Sequence, residues 1–215
     1  MTLEELKEGV SVLLGERIYC SESDLQFAIA FQLRSIGQRV RLEVPFQAEE
    51  SRVISNGRKY LDILAIGRER IGVELKYKTD ELLNYVDSDV GPLSLKAHGA
   101  QDLGLYDFWW DVHRLEKFCN TRKIDRGFAI FVTNDDSYAK KHTGKCNADQ
   151  FRLHEGRIID NESLAWGKSG LKSLGARKES FRLFGEYVIH WTAVKNNNVR
   201  FSFVILEVKM IDGDK

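Results

Sequence analysis

The stretch YLDILAIGRERIGVELKYK, residues 60–78, sets two apolar runs on either side of the polar turn Gly67-Arg68-Glu69-Arg70. Strand-favouring runs separated by so short a polar segment predict a β-hairpin. Side chains alternate across a strand, so Glu74 and Lys76 leave one face while Val73, Leu75 and Tyr77 enter the core. Asp62 lies in the strand across the turn. If residue 62 stands opposite 74 rather than 75, Asp62, Glu74 and Lys76 converge on one face. Plain two-residue or four-residue closures around Arg68 and Glu69 give the other parity. Convergence therefore predicts a bulge or a three-residue turn.

Two carboxylates and a lysine are a minimum set for hydrolysing a phosphodiester with the help of a metal. The substrate is already anionic, so attack needs a cation to neutralise charge and orient water. Mg²⁺ or Mn²⁺ prefers oxygen ligands, which Asp62, Glu74 and the backbone carbonyl of Leu75 can supply. Lys76 would then hold or activate the water. Taken alone, Glu-x-Lys on a strand is more often the solvated face of a sheet, so the surrounding elements decide its weight.

Those elements fall in an ordered series. Thr2-x-x-Glu5 and Ser21-x-x-Asp24 have the form of helix starts, a hydroxyl capping free amides with an acid three residues on. The second helix, about residues 22 to 36, repeats Leu25, Ile29, Leu33 and Ile36 as one buried stripe and ends at Gly37. RVRLEVPFQ alternates Val40, Leu42 and Val44 as a strand stopped near Pro45. After the hairpin, a polar loop with Asp87, Asp89, Gly91 and Pro92 leads to a long helix from about Leu93 to Cys119, through Leu105, Trp109, Val112 and Leu115. GFAIFVTND reads as a strand buried on both faces. Strand, crossover helix and buried strand imply a parallel pair with a right-handed connection. Residues 135 to 180 are expected to hold loops, a short helix and an edge strand, and EYVIHWTAV with VRFSFVILEV, around 195–198, a second hairpin.

This arrangement resembles the core of the PD-(D/E)XK nuclease superfamily, the restriction-endonuclease-like fold. There an Asp on one strand is followed, one hairpin strand later, by Glu/Asp-x-Lys with apolar flanks. Asp62 matches the first acid, Glu74 the second and Lys76 the lysine, and the order of elements matches over about residues 20 to 134. Leu61 stands where the family has Pro. The resemblance implies a mixed central sheet flanked by helices over that core; with the length of the chain and the second hairpin, the expectation is one α/β domain over 1–215 with a C-terminal extension over about 135–215 that adds the β-hairpin. It implies a metal-dependent nuclease, with DNA the expected substrate and a homodimer among the states such enzymes adopt. Glu22, at the start of the second helix, is similar to the helix acid that many members use as a further ligand or base, although acids at helix starts are also favoured by the dipole. Gln101 resembles the helix glutamine some members place near the site, but Gln101 to Tyr106 is one residue longer than the Gln-x-x-x-Tyr of the exonuclease branch. The same resemblance admits a catalytically inactive module that binds nucleic acid or protein.

Composition sets outer limits. With 32 basic and 32 acidic residues the chain lacks the global positive charge of many nucleic-acid binders. Lys140, Lys141 and Lys145 form the best local basic cluster and are the candidate backbone-phosphate contacts; Arg177, Lys178 and Arg182 form a second. Cys20, Cys119 and Cys146 have no zinc-ligand spacing and are expected to be reduced. MTLEELKEGVSVLLGERIY does not read as a signal peptide, and no run of about 18 apolar residues would span a bilayer. The expected location is the cytoplasm, with no membrane partner.

Overall fold

The computed structural model describes residues 1–46, 60–87, 90–167 and 177–211. Asp89, assigned above to a polar loop, lies outside them. Thr2 closes a reciprocal capping box with Glu5 and opens α1 (Leu3–Glu16), and the Ser21 side chain caps α2 (Glu22–Ser35). The α2 stripe is buried at Leu25, Ile29 and Leu33, whereas Ile36, expected to belong to it, is 58% exposed because the helix stops at Ser35. Gly37 then takes a φ of +87°, a conformation glycine adopts without steric cost.

Six strands form the central sheet: β1 (Arg39–Pro45), β2 (Tyr60–Ile66), β3 (Arg70–Lys78), β6 (Arg126–Thr133), β12 (Val199–Lys209) and β11 (Thr192–Asn196), in that spatial order. The β3–β6 pair is parallel and the other four are antiparallel, so the α/β fold carries a mixed sheet. The single long helix α3 (Gln101–Asn120) supplies the crossover between the parallel strands. The expected C-terminal hairpin is β11–β12, and β12 pairs with β6 along eight residues, from Ser202↔Thr133 to Lys209↔Arg126.

The sheet separates two cores. Ile63, Ala65, Val73, Leu75 and Tyr77 pack with α1 and α2, while Leu61, Leu64, Ala129 and Phe131 pack with α3. This layering corrects the expected start of the long helix. Leu95 belongs to the first core and Leu105 to the second, so no continuous helix can hold both. The ribbon β4 (Leu82–Asp87) with β5 (Gly91–Leu95) instead occupies this part of the chain. The segment after β6 carries 3₁₀ turns at Asp136–Ala139 and Asp149–Phe151. It also holds two small antiparallel pairs: β7 (Ile158–Asp160) with β10 (Glu186–Val188), and β8 (Ser163–Leu164) with β9 (Phe181–Arg182). EYV therefore forms β10, apart from the C-terminal hairpin. No described helix is long and apolar enough to cross a membrane.

Candidate active site

The site begins where a ladder opens. Backbone pairing between β2 and β3 runs from Ile66↔Arg70 to Ile63↔Val73, leaving Gly67, Arg68 and Glu69 as a three-residue turn. That is the parity the converging side chains require: the register extended by one step would set Asp62 opposite Glu74, although pairing itself stops at Ile63↔Val73. On the other flank, β1 pairs with β2 from Arg39↔Ile66 to Pro45↔Tyr60 except at Glu43, opposite Asp62. Glu43 has a φ of +50°, outside the extended region, which interrupts the ladder there.

Backbone groups released by this opening must find other partners, and polar side chains provide them. The Leu75 amide donates to Asp62 Oδ2 at 2.7 Å, and the Tyr77 amide donates to Glu22 Oε2 at 2.7 Å. Gln26 Nε2 donates to the Asp62 carbonyl and to Glu43 Oε1, both at 2.8 Å. The Leu75 carbonyl, on the same edge as its amide, accepts from Lys76 Nζ at 3.1 Å. Asp62, Glu22 and the Leu75 carbonyl are thus held beside the gap by the geometry that opened it.

Helix α3 closes the site from the other side. Asp111 Oδ2 lies 2.7 Å from Lys76 Nζ, and Arg114 reaches Glu74 Oε1 at 3.0 Å, Asp111 Oδ1 at 3.2 Å and the Tyr60 carbonyl at 2.8 Å. Glu74 is 2% exposed, and its Oε1, although at ion-pair distance from Arg114, has no aligned hydrogen bond among the described residues. Gly72, next but one before Glu74, leaves room that Ile124 and Leu61 fill, since a Cβ there would lie 2.8 Å from Ile124 Cδ1. One end of the cluster is therefore sealed by apolar groups.

Burial and mutual repulsion decide the electrostatics. Burial pushes the Asp62 carboxyl up to about 6, against the pull of Lys76 and the Leu75 amide. Burial, with Asp111 and Asp62 adding like charge, raises Glu74 well above the usual carboxylate range despite Arg114 and Lys76. For Lys76, burial favours the neutral amine, but Asp111, Glu22 and Asp62 outweigh it and hold the ammonium firmly charged. Four carboxyl groups, Asp62, Glu74, Asp111 and Glu22, face two cations, Lys76 and Arg114; fully ionised they would leave two uncompensated negative charges, and the raised Asp62 and Glu74 carboxyls relieve that excess by holding protons that a cation could displace.

Asp62, Glu74, Lys76, Glu22 and the Leu75 carbonyl are brought together. Gln101 is directed elsewhere, with its amide donating to Asp135 Oδ2 at 2.6 Å and Ser137 Oγ at 3.4 Å, in the loop after β6. Lys140, Lys141 and Lys145 are exposed beyond the same loop, and a small pocket lined by Gln101, Ser137, His142 and Arg152 adjoins them. Sequence reading missed Asp111, Arg114, Gln26 and Glu43. The available signals were helical spacing: Glu22 and Gln26 lie one turn apart, and Asp111 and Arg114 lie three apart.

Among the described residues no three His, Cys, Asp or Glu side chains already stand as a metal site. The donor set nonetheless suits a hard divalent cation: two carboxyl groups and one carbonyl oxygen, more acidic than basic groups, and a buried Glu74 oxygen without an aligned donor. Compared with models of known families, with curated proteins and with solved structures, the chain has no match.

Proposed function

We propose that the chain is a metal-dependent nuclease of the PD-(D/E)XK type, with a restriction-endonuclease-like fold, hydrolysing phosphodiester bonds in DNA. Asp62, Glu74 and the Leu75 carbonyl would hold Mg²⁺ or Mn²⁺. The observation that carries this reading is the unbalanced cluster at the opening of β2 and β3, where four carboxylates meet two cations. When bound, the metal supplies charge neutralisation and orients the attacking water. Lys76 acts as a fixed positive charge that orients water and faces the anionic phosphate. Its salt bridge with Asp111 keeps it protonated, so it does not serve as the general base. Glu22, which is not among the proposed metal ligands, is better suited to accept the proton. Glu22 also secures the edge of β3 through the Tyr77 amide. Lys140, Lys141 and Lys145 would contact the nucleic-acid backbone.

A second reading, an inactive module that binds nucleic acid or protein, is favoured by one observation. Lys76 and Glu74 are both already paired within the protein, to Asp111 and Arg114. Incubation with labelled single-stranded, double-stranded and branched DNA and with RNA, in Mg²⁺ or Mn²⁺, separates the two. The nuclease reading expects cleavage that requires metal and falls by roughly 10³-fold or more in Asp62→Ala. Binding without cleavage of any substrate supports the inactive module.

A further inference from the structure

Charge in the candidate site is arranged in depth. The side chains of Glu74 and Asp111 are 2% and 7% exposed, while those of Arg114 and Lys76, which lie against them, are 13% and 17% exposed. Arg114 also bonds the carbonyl of Tyr60, a residue 38% exposed at the outer end of β2. The guanidinium therefore stands between a buried carboxylate and the surface. It holds Glu74 Oε1, an oxygen the metal reading needs, by an ion pair that is not aligned as a hydrogen bond.

From this geometry we infer that Arg114 is a gate coupling phosphodiester binding to metal binding, an inference that rests on the nuclease reading of the same site. A planar guanidinium pairs bidentately with the two free oxygens of a phosphodiester. Arg114 meets Glu74 Oε1 in an ion pair that is not aligned as a hydrogen bond, so an arriving phosphodiester offers it a better-matched partner near the surface. Turning to that partner releases Glu74 to a divalent cation. The coupling is reciprocal: whatever factor the phosphodiester adds to metal affinity, the metal adds to phosphodiester affinity. Lys76 has its own partner, Asp111 Oδ2 at 2.7 Å, an oxygen that like Glu74 Oε1 has no aligned hydrogen bond among the described residues, so the exchange is assigned to Arg114 and does not require the lysine to move. The arrangement keeps the metal weakly held until substrate is present.

Mn²⁺ affinity measured calorimetrically, with and without a phosphorothioate oligodeoxynucleotide that keeps the charge but resists hydrolysis, tests the gate. In the wild-type protein the oligonucleotide should tighten Mn²⁺ binding by about 5-fold to 150-fold. Arg114→Gln should bind Mn²⁺ more tightly than wild type without oligonucleotide and should lose the coupling. Arg114→Lys, which keeps a cation but not the fork, should retain weak Mn²⁺ binding with reduced coupling, and thermal melts of both variants verify folding. Equal coupling in wild type and in a folded Arg114 variant would overturn the gate while leaving the metal site standing. Mn²⁺ binding that is absent from the wild type in both conditions would remove the metal site and the gate together.

Discussion

Two buried carboxylates, Glu74 on β3 and Glu116 on α3, are 2% and 1% exposed, yet they are treated in opposite ways. Glu116 Oε1 accepts from the Phe184 amide at 3.0 Å, the Gly185 amide at 2.8 Å and the Tyr187 hydroxyl at 2.8 Å. These donors fasten the C-terminal half of the chain to the helix and leave no cation in the pairing. Glu74 has a misaligned guanidinium, the Lys76 ammonium and two carboxyl groups, Asp111 and Asp62, for neighbours, and its Oε1 has no aligned donor among the described residues. Burial alone therefore does not mark a reactive carboxylate. A satisfied one is a staple, whereas one left short of donors among like charges is suited to receive a cation.

If Glu116 is a staple, Glu116→Ala leaves three donors without their acceptor and should cost about 3–5 kcal/mol in chemical denaturation. Cleavage per folded molecule should be unchanged. A loss of cleavage at full folding would erase the distinction between the two glutamates.

A smaller effect concerns pH. The folded-state Asp62 value of about 6 lies above its ordinary 3.8, so its contribution to stability is full below about 4 and is lost as pH rises through 6. His113, buried against α3 and bonded to the Arg182 carbonyl, is lowered by burial to about 4. Its contribution is present above about 6.5 and is lost as pH falls toward 4. Because the two slopes oppose, the comparison that isolates Asp62 is wild type against Asp62→Asn. The variant should gain about 2 kcal/mol on the wild type between pH 4 and pH 7 in chelator. Saturating Mn²⁺ should offset that gain by stabilising the wild type alone. A constant difference across the range would show that burial does not raise the Asp62 carboxyl.

The smallest effect is expected at Glu74 itself. Glu74→Gln removes a buried carboxyl whose ionised form Arg114 and Lys76 favour and Asp111 and Asp62 oppose. Arg114 keeps Asp111 and the Tyr60 carbonyl, so stability should change by less than about 1 kcal/mol. A loss as large as that in Glu116→Ala would make Glu74 a second staple.

Much of the frame was legible because its signals are periodic or local. The capping residues Thr2 and Ser21, the buried run of β6 and the two main hairpins are patterns of adjacent residues. The parity of Asp62 and Glu74 followed from requiring their charges to share a face, and the turn at Gly67–Glu69 supplies it. The partners on α3 were not legible. Asp111 and Arg114 flank the apolar stripe of Trp109, Val112 and Leu115, and such positions ordinarily face water. Only packing of α3 over Glu74 and Lys76 turns them inward. The ribbon β4–β5 was not legible because Asp87, Gly91 and Pro92 are turn residues, Leu93 and Leu95 fit the apolar lead-in to a helix, and the burial of β4 alternates irregularly. The pairs β7–β10 and β8–β9 have strands of two or three residues, too short to show a period. Gln101 bonds the loop after β6, a contact that its place at the start of a helix does not specify.

The claim that the Glu74 cluster receives a divalent cation is tested most directly by calorimetric titration of Mn²⁺ into wild type, Asp62→Ala and Glu116→Gln at pH 8. The expected result is one ion per chain in the wild type and in Glu116→Gln, with binding abolished in a folded Asp62→Ala. Absence of binding in the wild type, or equal binding in Asp62→Ala, would contradict it.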